Sequence, residues 1–316
     1  MALSRLAFVA DDIETFPTHH DSTWVMMQAA QRQGHEVHYI WGKYLDREAE
    51  FIQLSDEFFN NQNGERLLLD ETSRSSKNKI IIDNFDYIFM RTDPPVNEEY
   101  IRQCKILEEC KNAKVLNRAD SIYKLNEKLM ILNFPELITE TIVSQDPCEI
   151  MNFLEEQGKI VVKPLDGFAG KGIFSLEASD SNALAKLEQA CKEEQMVQRY
   201  IEAIKEEGGK RIIVVNGEPI AGLLQIPPEN DFRSNIAVGS SYAAYQINDR
   251  DKEICAQLKP YLLEQGIYFA GIDIIGDYLS EINITSPGSV QEINFSQGLE
   301  ARNRIEYQIM NNLTLL

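Results

Sequence analysis

No two cysteines in this 316-residue chain are spaced as CxxC, and the five present, Cys104, Cys110, Cys148, Cys191 and Cys255, are odd in number. That pattern indicates neither a zinc site nor a disulfide framework, and it fits a reducing cytoplasm. Histidine is scarce too. His19 and His20 are adjacent, His35 and His38 read as strand-edge residues, and no third ligand is spaced to complete a metal site with them. Positive charge is the next deficit: 31 Lys and Arg stand against 50 Asp and Glu, a formal net charge of -19. Such a field repels phosphate backbones and anionic bilayers, so nucleic acid and membrane are excluded as expected partners. Long apolar runs are also missing. The N-terminal run ends at Asp11-Asp12 after five residues, too short for a signal core or a membrane span.

What remains is a globular composition, 43% hydrophobic, long enough for two or three compact units at roughly 150 residues each. Leu6 to Ala10 reads as a buried strand, Ser22 to Arg32 as a helix ended by Gly34, and Glu36 to Trp41 as a second strand. This opening is an α/β layer. Asn60 to Lys79 is polar and turn-rich, an expected hairpin or loop excursion, after which Tyr87 to Met90 returns as a strand and runs into Arg91-Thr-Asp-Pro-Pro95. A helix over 98–111 and a strand near Val115-Leu116 close the first unit.

Glu127 to Asn133 reads as a helical link. From Lys159 the pattern changes to strand, glycine-rich turn, strand and a helix over 180–194, an α+β lid. Ile212 to Val215 and Ile220 to Leu224 flank Asn216-Gly217 as a hairpin. A helix over 250–265, strands at Ala270 to Ile275 and Leu279 to Asn283, and a terminal helix from about Ser296 complete the chain. The expected units are an N-terminal α/β substrate domain at 1–125, a lid at 126–200 and a C-terminal unit at 201–316.

Two constellations stand out. On a strand of period two, Glu281 and Asn283 share one face, and Asp273 precedes them across a Gly276-Asp277 turn. Three oxygen-bearing side chains so placed suit Mg²⁺, whose remaining shell is water and phosphate. A chain with this many acids also scatters such residues over strand faces, and spacing alone leaves both readings open. The second is Lys163-Pro-Leu-Asp-Gly-Phe-Ala-Gly-Lys-Gly172. Its glycines let backbone N–H groups approach phosphate oxygens, with Lys163 as a point charge at the strand end. It is not a Walker A loop, because the glycine spacing differs and a strand follows; a ligand-free hairpin is the alternative. Lys128, Arg211 and Arg233 read singly as surface charges or together as an offset to the acidic field. Arg91, before a rigid proline turn, suits a ligand carboxylate or an ion pair with Asp93.

These segments occur in one order: Met90-Arg-Thr-Asp-Pro-Pro95, Asn126-Glu-Lys-Leu129, Val162-Lys-Pro-Leu-Asp-Gly167, Lys210-Arg-Ile-Ile-Val-Val215, then Gly271-Ile-Asp-Ile-Ile-Gly276 through Glu281-Ile-Asn-Ile-Thr-Ser-Pro287. Over essentially its whole length the chain resembles bacterial glutathione synthetase. The resemblance implies an ATP-grasp fold behind an N-terminal α/β domain and ligation of γ-glutamylcysteine to glycine through an acyl phosphate. ATP, two Mg²⁺ ions (or Mn²⁺) and a cytoplasmic homo-oligomer are implied with it. Position by position, Lys128 and Lys163 match phosphate-binding lysines, Gly167, Gly170 and Gly172 the mobile phosphate-covering loop, and Gln198, Arg199, Tyr200 and Ile201 the hinge that holds adenine. Asp273, Glu281 and Asn283 match the metal ligands. Arg91, Ser286, Gly288 and Ser289 match substrate-binding positions, and Arg211 and Arg233 catalytic ones near the acyl phosphate.

Two departures accompany the match. Gly209 stands where the family usually has an acidic residue, for which Glu206 or Glu207 is the candidate replacement. The covering loop after Arg233, Ser234-Asn-Ile-Ala-Val-Gly-Ser-Ser-Tyr-Ala243, lacks the arginine and extra glycines common there. Two alternatives therefore stand beside glutathione synthesis: a carboxylate-amine ligase with another acyl or amine substrate, and a catalytically silent ATP-binding regulatory protein.

Overall fold

A computed structural model describes residues 3–55, 58–59, 78–300 and 303–313. Three main sheets follow one another along the chain. The first has the order β3-β2-β1-β4-β5, with β1 Arg5–Ala10, β2 Glu36–Trp41, β3 Ile52–Gln53, β4 Tyr87–Met90 and β5 Lys114–Leu116. All pairings are parallel except that of the edge strand β3. Leu6, Phe8 and Ala10 enter one core while Ala7 and Val9 enter another, so β1 is covered on both faces and reads as an unbroken apolar run. Asp21 caps the helix Ser22–Arg32 by accepting from the Trp24 N–H at 2.7 Å. The excursion expected over 60–79 lies almost wholly outside the described residues; Lys79–Ile81 pairs with Glu48–Glu50 as a short ribbon.

The second sheet, β8-β7-β9-β6, is antiparallel: β6 Thr141–Ser144, β7 Lys159–Pro164, β8 Phe174–Glu177 and β9 Gln195–Arg199. It includes β6 and the helix Pro147–Gln157, neither of which the sequence reading found. Their signals were present. Asp146 caps the helix, Pro147 opens it, and Gly158 ends it at φ 75°. The helix expected over 180–194 is shorter, Ala183–Ala190, because Asp180 accepts from Asn182 in a turn before it.

The third sheet has the order β12-β11-β10-β13-β14, with β10 Gly209–Val215, β11 Glu218–Ile226, β12 Ser241–Tyr245, β13 Phe269–Ile275 and β14 Tyr278–Asn283. Asn216 and Gly217, both at positive φ, make the β10–β11 turn as expected. The segment after Arg233 is only partly a loop, since its last residues form β12 on the edge of β11. The expected terminal helix is two helices, Val290–Gln297 and Ile305–Asn312; Ser296, its expected start, lies in the last turn of the first, and Gly298 at φ 59° breaks the run.

Asn117 joins the first sheet to the third. Its buried amide donates to the carbonyls of Phe269 and Ile284 at 2.7 and 2.8 Å and accepts from the N–H groups of Tyr268 and Phe269 at 2.8 and 2.7 Å. The root of β13 and the end of β14 are thereby fixed against the N-terminal layer.

Candidate active site

Strand register builds the centre of the site. Arg211 on β10 lies opposite Asp273 on β13, and Asp273 lies opposite Glu281 on β14. A bulge after Asp273 ends the regular pairing there. Asn283, two residues beyond Glu281, adds an amide to the same face, while Ile282 between them is fully buried. Arg211 forks onto both oxygens of Asp273, with Nη2–Oδ2 at 2.8 Å. Asn283 donates to Asp273 Oδ2 at 3.2 Å and to the Gly271 carbonyl at 3.1 Å. Among the described residues no group donates to its amide oxygen, an atom of the kind that could ligate a cation.

Two lysines face this row. Lys128 Nζ is 3.3 Å from Glu281 Oε1 and donates to the Gly167 carbonyl. Asn126 sets its backbone by accepting from the N–H groups of Lys128 and Leu129 at 2.9 and 3.2 Å. Lys163, at the end of β7, donates to Gln198 Oε1 at 2.6 Å and Ser280 Oγ at 2.9 Å. Burial lowers its pKa to about 8, with Lys128 adding to the effect and Glu281 opposing it. Among the described residues the buried cations are Arg91, Lys128, Lys163, Lys210 and Arg211. Four of them belong to the predicted set, and the fifth, Lys210, is bonded to buried Asp251. The surface-charge reading of Lys128 and Arg211 is therefore a correction: fully buried cations are rare unless partners hold them.

A cleft runs from this row to the Gln198 to Ile201 segment, lined by Lys163, Gln198 to Ile201, Arg233, Asp273 and Glu281. Tyr200 packs against Phe232 there, ring centroids 5.8 Å apart. A second cleft meets it at Glu281 and is lined by Lys128, Gly167, Gly170, Arg211, Asn283 and Ser286 to Ser289. Gly172 lines neither; at φ 75° it turns the chain against Pro164. Arg233 is clamped by Asp231 and donates to the Gly170 carbonyl at 3.1 Å, tying the covering loop to the glycine turn.

Arg91 lies beneath the Ser286–Ser289 turn. Its Nε donates to Thr23 Oγ1 and its Nη2 to the Pro287 carbonyl, both at 3.0 Å, while the buried Nη1 has no partner among the described residues. The expected alternative, an ion pair with Asp93, does not form at contact distance; Asp93 instead donates its N–H to Asp11. Burial raises the Asp21 pKa to about 6, against the opposing pull of Arg91. Glu127 was missed. It accepts from the Ile284 and Thr285 N–H groups, and burial, then the charge of Glu281, raises its pKa. Its place beside Lys128 was the available signal.

The donor set fits a divalent ion: two carboxylates and an amide oxygen, with no cluster of three His, Cys, Asp or Glu among the described residues that could close a shell alone. Sheet order, lysine pair and carboxylate row define an ATP-grasp ligase. Solved structures share the fold across nearly the whole chain. D-cycloserine synthetase DcsG aligns at TM-score 0.67 with 14% identity, covering 98% of this chain and 99% of that one. The ATP-grasp ligase PsnB, complexed with a phosphomimetic precursor variant, Mg and ADP, aligns at 0.64 with 15% identity and the same coverage.

The chain belongs to the prokaryotic glutathione synthetase family, whose N-terminal domain model matches residues 4–122 and whose ATP-grasp domain model matches residues 127–298. Glutathione synthetase of Synechocystis sp. is 38% identical over 95% of this chain and 97% of the relative. That of Nostoc sp. is 36% identical over 98% and 99%, and that of Mesorhizobium japonicum 35% over 92% of each. The protein is thus an ATP-dependent ligase of a family that works with ATP and divalent metal ions. No helix among the described residues is long and apolar enough to cross a membrane.

Proposed function

We propose that the joined clefts bind ATP and γ-glutamylcysteine end to end and ligate the dipeptide to glycine. The observation that carries this reading is the row Arg211, Asp273 and Glu281, with Asn283 beside it and Lys128 and Lys163 facing it. Asp273, Glu281 and Asn283 would hold two Mg²⁺ ions, which when bound neutralise the nucleotide's phosphates. Lys128 and Lys163 fix those phosphates, Gly167 to Gly172 cover them, and Gln198 to Ile201 border the base. The dipeptide's C-terminal carboxylate displaces ADP from the γ-phosphoryl group, forming an acyl phosphate. Glycine's amine then attacks the acyl carbon, losing a proton as phosphate leaves. Arg211 stabilises the charge that develops on the acyl phosphate, and Arg233 holds the covering loop over it. Arg91, Ser286, Gly288 and Ser289 hold the dipeptide. No protein nucleophile is needed in this scheme, and the described residues lining the two clefts include no Ser/His or Cys/His pair.

Residues 1–125, 126–200 and 201–316 are read as substrate, lid and metal-binding units of one cytoplasmic homo-oligomer. The free thiols of all five cysteines support the compartment, and sedimentation tests the assembly. The decisive assay is phosphate release from Mg-ATP with γ-glutamylcysteine and a panel of amines. Glycine-dependent release and glutathione formation are expected. Turnover only with another amine indicates a different ligase, and nucleotide binding without turnover on any acceptor indicates a silent regulator.

A further inference from the structure

Gly209 opens β10 two residues before Arg211, so it shares the face that carries the carboxylate row. It is buried, and a Cβ there would lie 2.5 Å from Ser234 Oγ and 3.2 Å from Ser234 Cβ. The serine from the covering loop thus fills the space that a side chain at position 209 would occupy. Both residues line the cleft that runs from Lys163 to the hinge. Ser234 Oγ has no hydrogen-bond partner among the described residues. Glu206 and Glu207, the sequence-based candidates to replace an acid at 209, are exposed and outside that lining.

We infer that Ser234, seated over Gly209, hydrogen-bonds a ribose hydroxyl of the nucleotide, and that Gly209 is glycine to admit it. Position along the cleft selects the sugar. The row of Arg211, Asp273 and Glu281 takes the phosphates. Gly209 and its cross-strand partner Ile275 lie one step further toward the hinge, where sugar follows phosphate and base follows sugar. The same lining includes Ile201, Ile204, Phe232 and Ile275, which suit a base, and Ser234, whose hydroxyl offers a polar partner for a sugar. The inference rests on the nucleotide reading of this cleft and adds a residue to it: the polar contact to the sugar comes from the loop and not from the strand.

The test is calorimetric titration of full-length protein with Mg²⁺ and a non-hydrolysable ATP analogue in its ribo, 2′-deoxy and 3′-deoxy forms. Ser234→Ala is expected to weaken the ribo form about three- to tenfold, the worth of one hydrogen bond. Wild type should lose the same factor on one deoxy form, and Ser234→Ala should lose nothing more on that form. Gly209→Ala, whose methyl displaces the serine, should behave like Ser234→Ala. Unchanged affinity in Ser234→Ala, or an equal loss on all three forms, overturns the inference. Lys163→Met separates the two levels. Normal affinity in that variant sinks the nucleotide reading of the cleft, whereas a loss there with Ser234→Ala unchanged sinks the ribose contact alone.

Discussion

Lys163 shows how burial turns a surface-type side chain into a tuned one. With its ammonium held by Gln198 and Ser280 and its pKa lowered to about 8, it sits near half charge in mildly alkaline solution. If Lys163 holds phosphate as proposed, its protonated form is the binding one, and ATP affinity should fall as pH rises through about 8. Binding above that pH should take up a proton, read as a dependence of the calorimetric enthalpy on buffer ionisation heat. Stability moves in the opposite sense. The buried charge opposes folding below pH 8, and that opposition fades as pH rises toward 10.5, the unfolded value. Asp273 and Glu281 give a second prediction at this scale. Asp273→Asn and Glu281→Gln should each lower turnover at least about a hundredfold, the size of losing a key electrostatic stabiliser of a transition state. Near-normal rates in both would remove the metal assignment.

At the scale of elements, the glycine turn and the covering loop act as one unit, because Arg233 donates to the Gly170 carbonyl while Asn235 packs over Gly170. Gly170 has φ 75°, and an added Cβ would lie 2.8 Å from Asn235 Oδ1. Gly170→Ala should therefore strain the turn by about 1 kcal/mol and push the loop outward, weakening ATP binding several-fold while changing the melting temperature by a few degrees at most. An unchanged dissociation constant would show that the turn tolerates the methyl group. The elements missed from sequence have local reasons. β6 and β12 are short strands whose alternation is weak, and β12 carries Ala243 and Ala244 at its centre. They are strands because β9 and β11 offer edges to pair with. The helix at Pro147–Gln157 was readable from Asp146, Pro147 and Gly158, and the split of the terminal helix from Gly298.

For the whole molecule, the N-terminal layer and the third sheet meet through Asn117. Asn117→Leu would remove four buried hydrogen bonds and strand backbone groups of Tyr268, Phe269 and Ile284 without partners. A loss of about 3 kcal/mol or more is expected, seen as a lower denaturant midpoint at unchanged slope. A loss below about 1 kcal/mol would mean that water or relaxed backbone replaces these bonds.

What the sequence determined by itself was local chemistry and its order. Period-two alternation put Glu281 and Asn283 on one strand face, glycines marked the turns, and the succession of segments from Arg91 to Pro287 carried the resemblance to the family. Four predicted cations, Arg91, Lys128, Lys163 and Arg211, proved to be buried ones. Tertiary structure alone decided who faces whom. Arg211 reaches Asp273 only through the register of β10 against β13, and the packing turns Arg91 Nε and Nη2 onto Thr23 and Pro287 and not onto Asp93. Gly209, which in sequence looked like a lost acid, sits under a serine 25 positions further on. Spacing along one chain fixes neighbours on the same strand, whereas contacts between strands and loops depend on pairing register and packing, which no local pattern encodes.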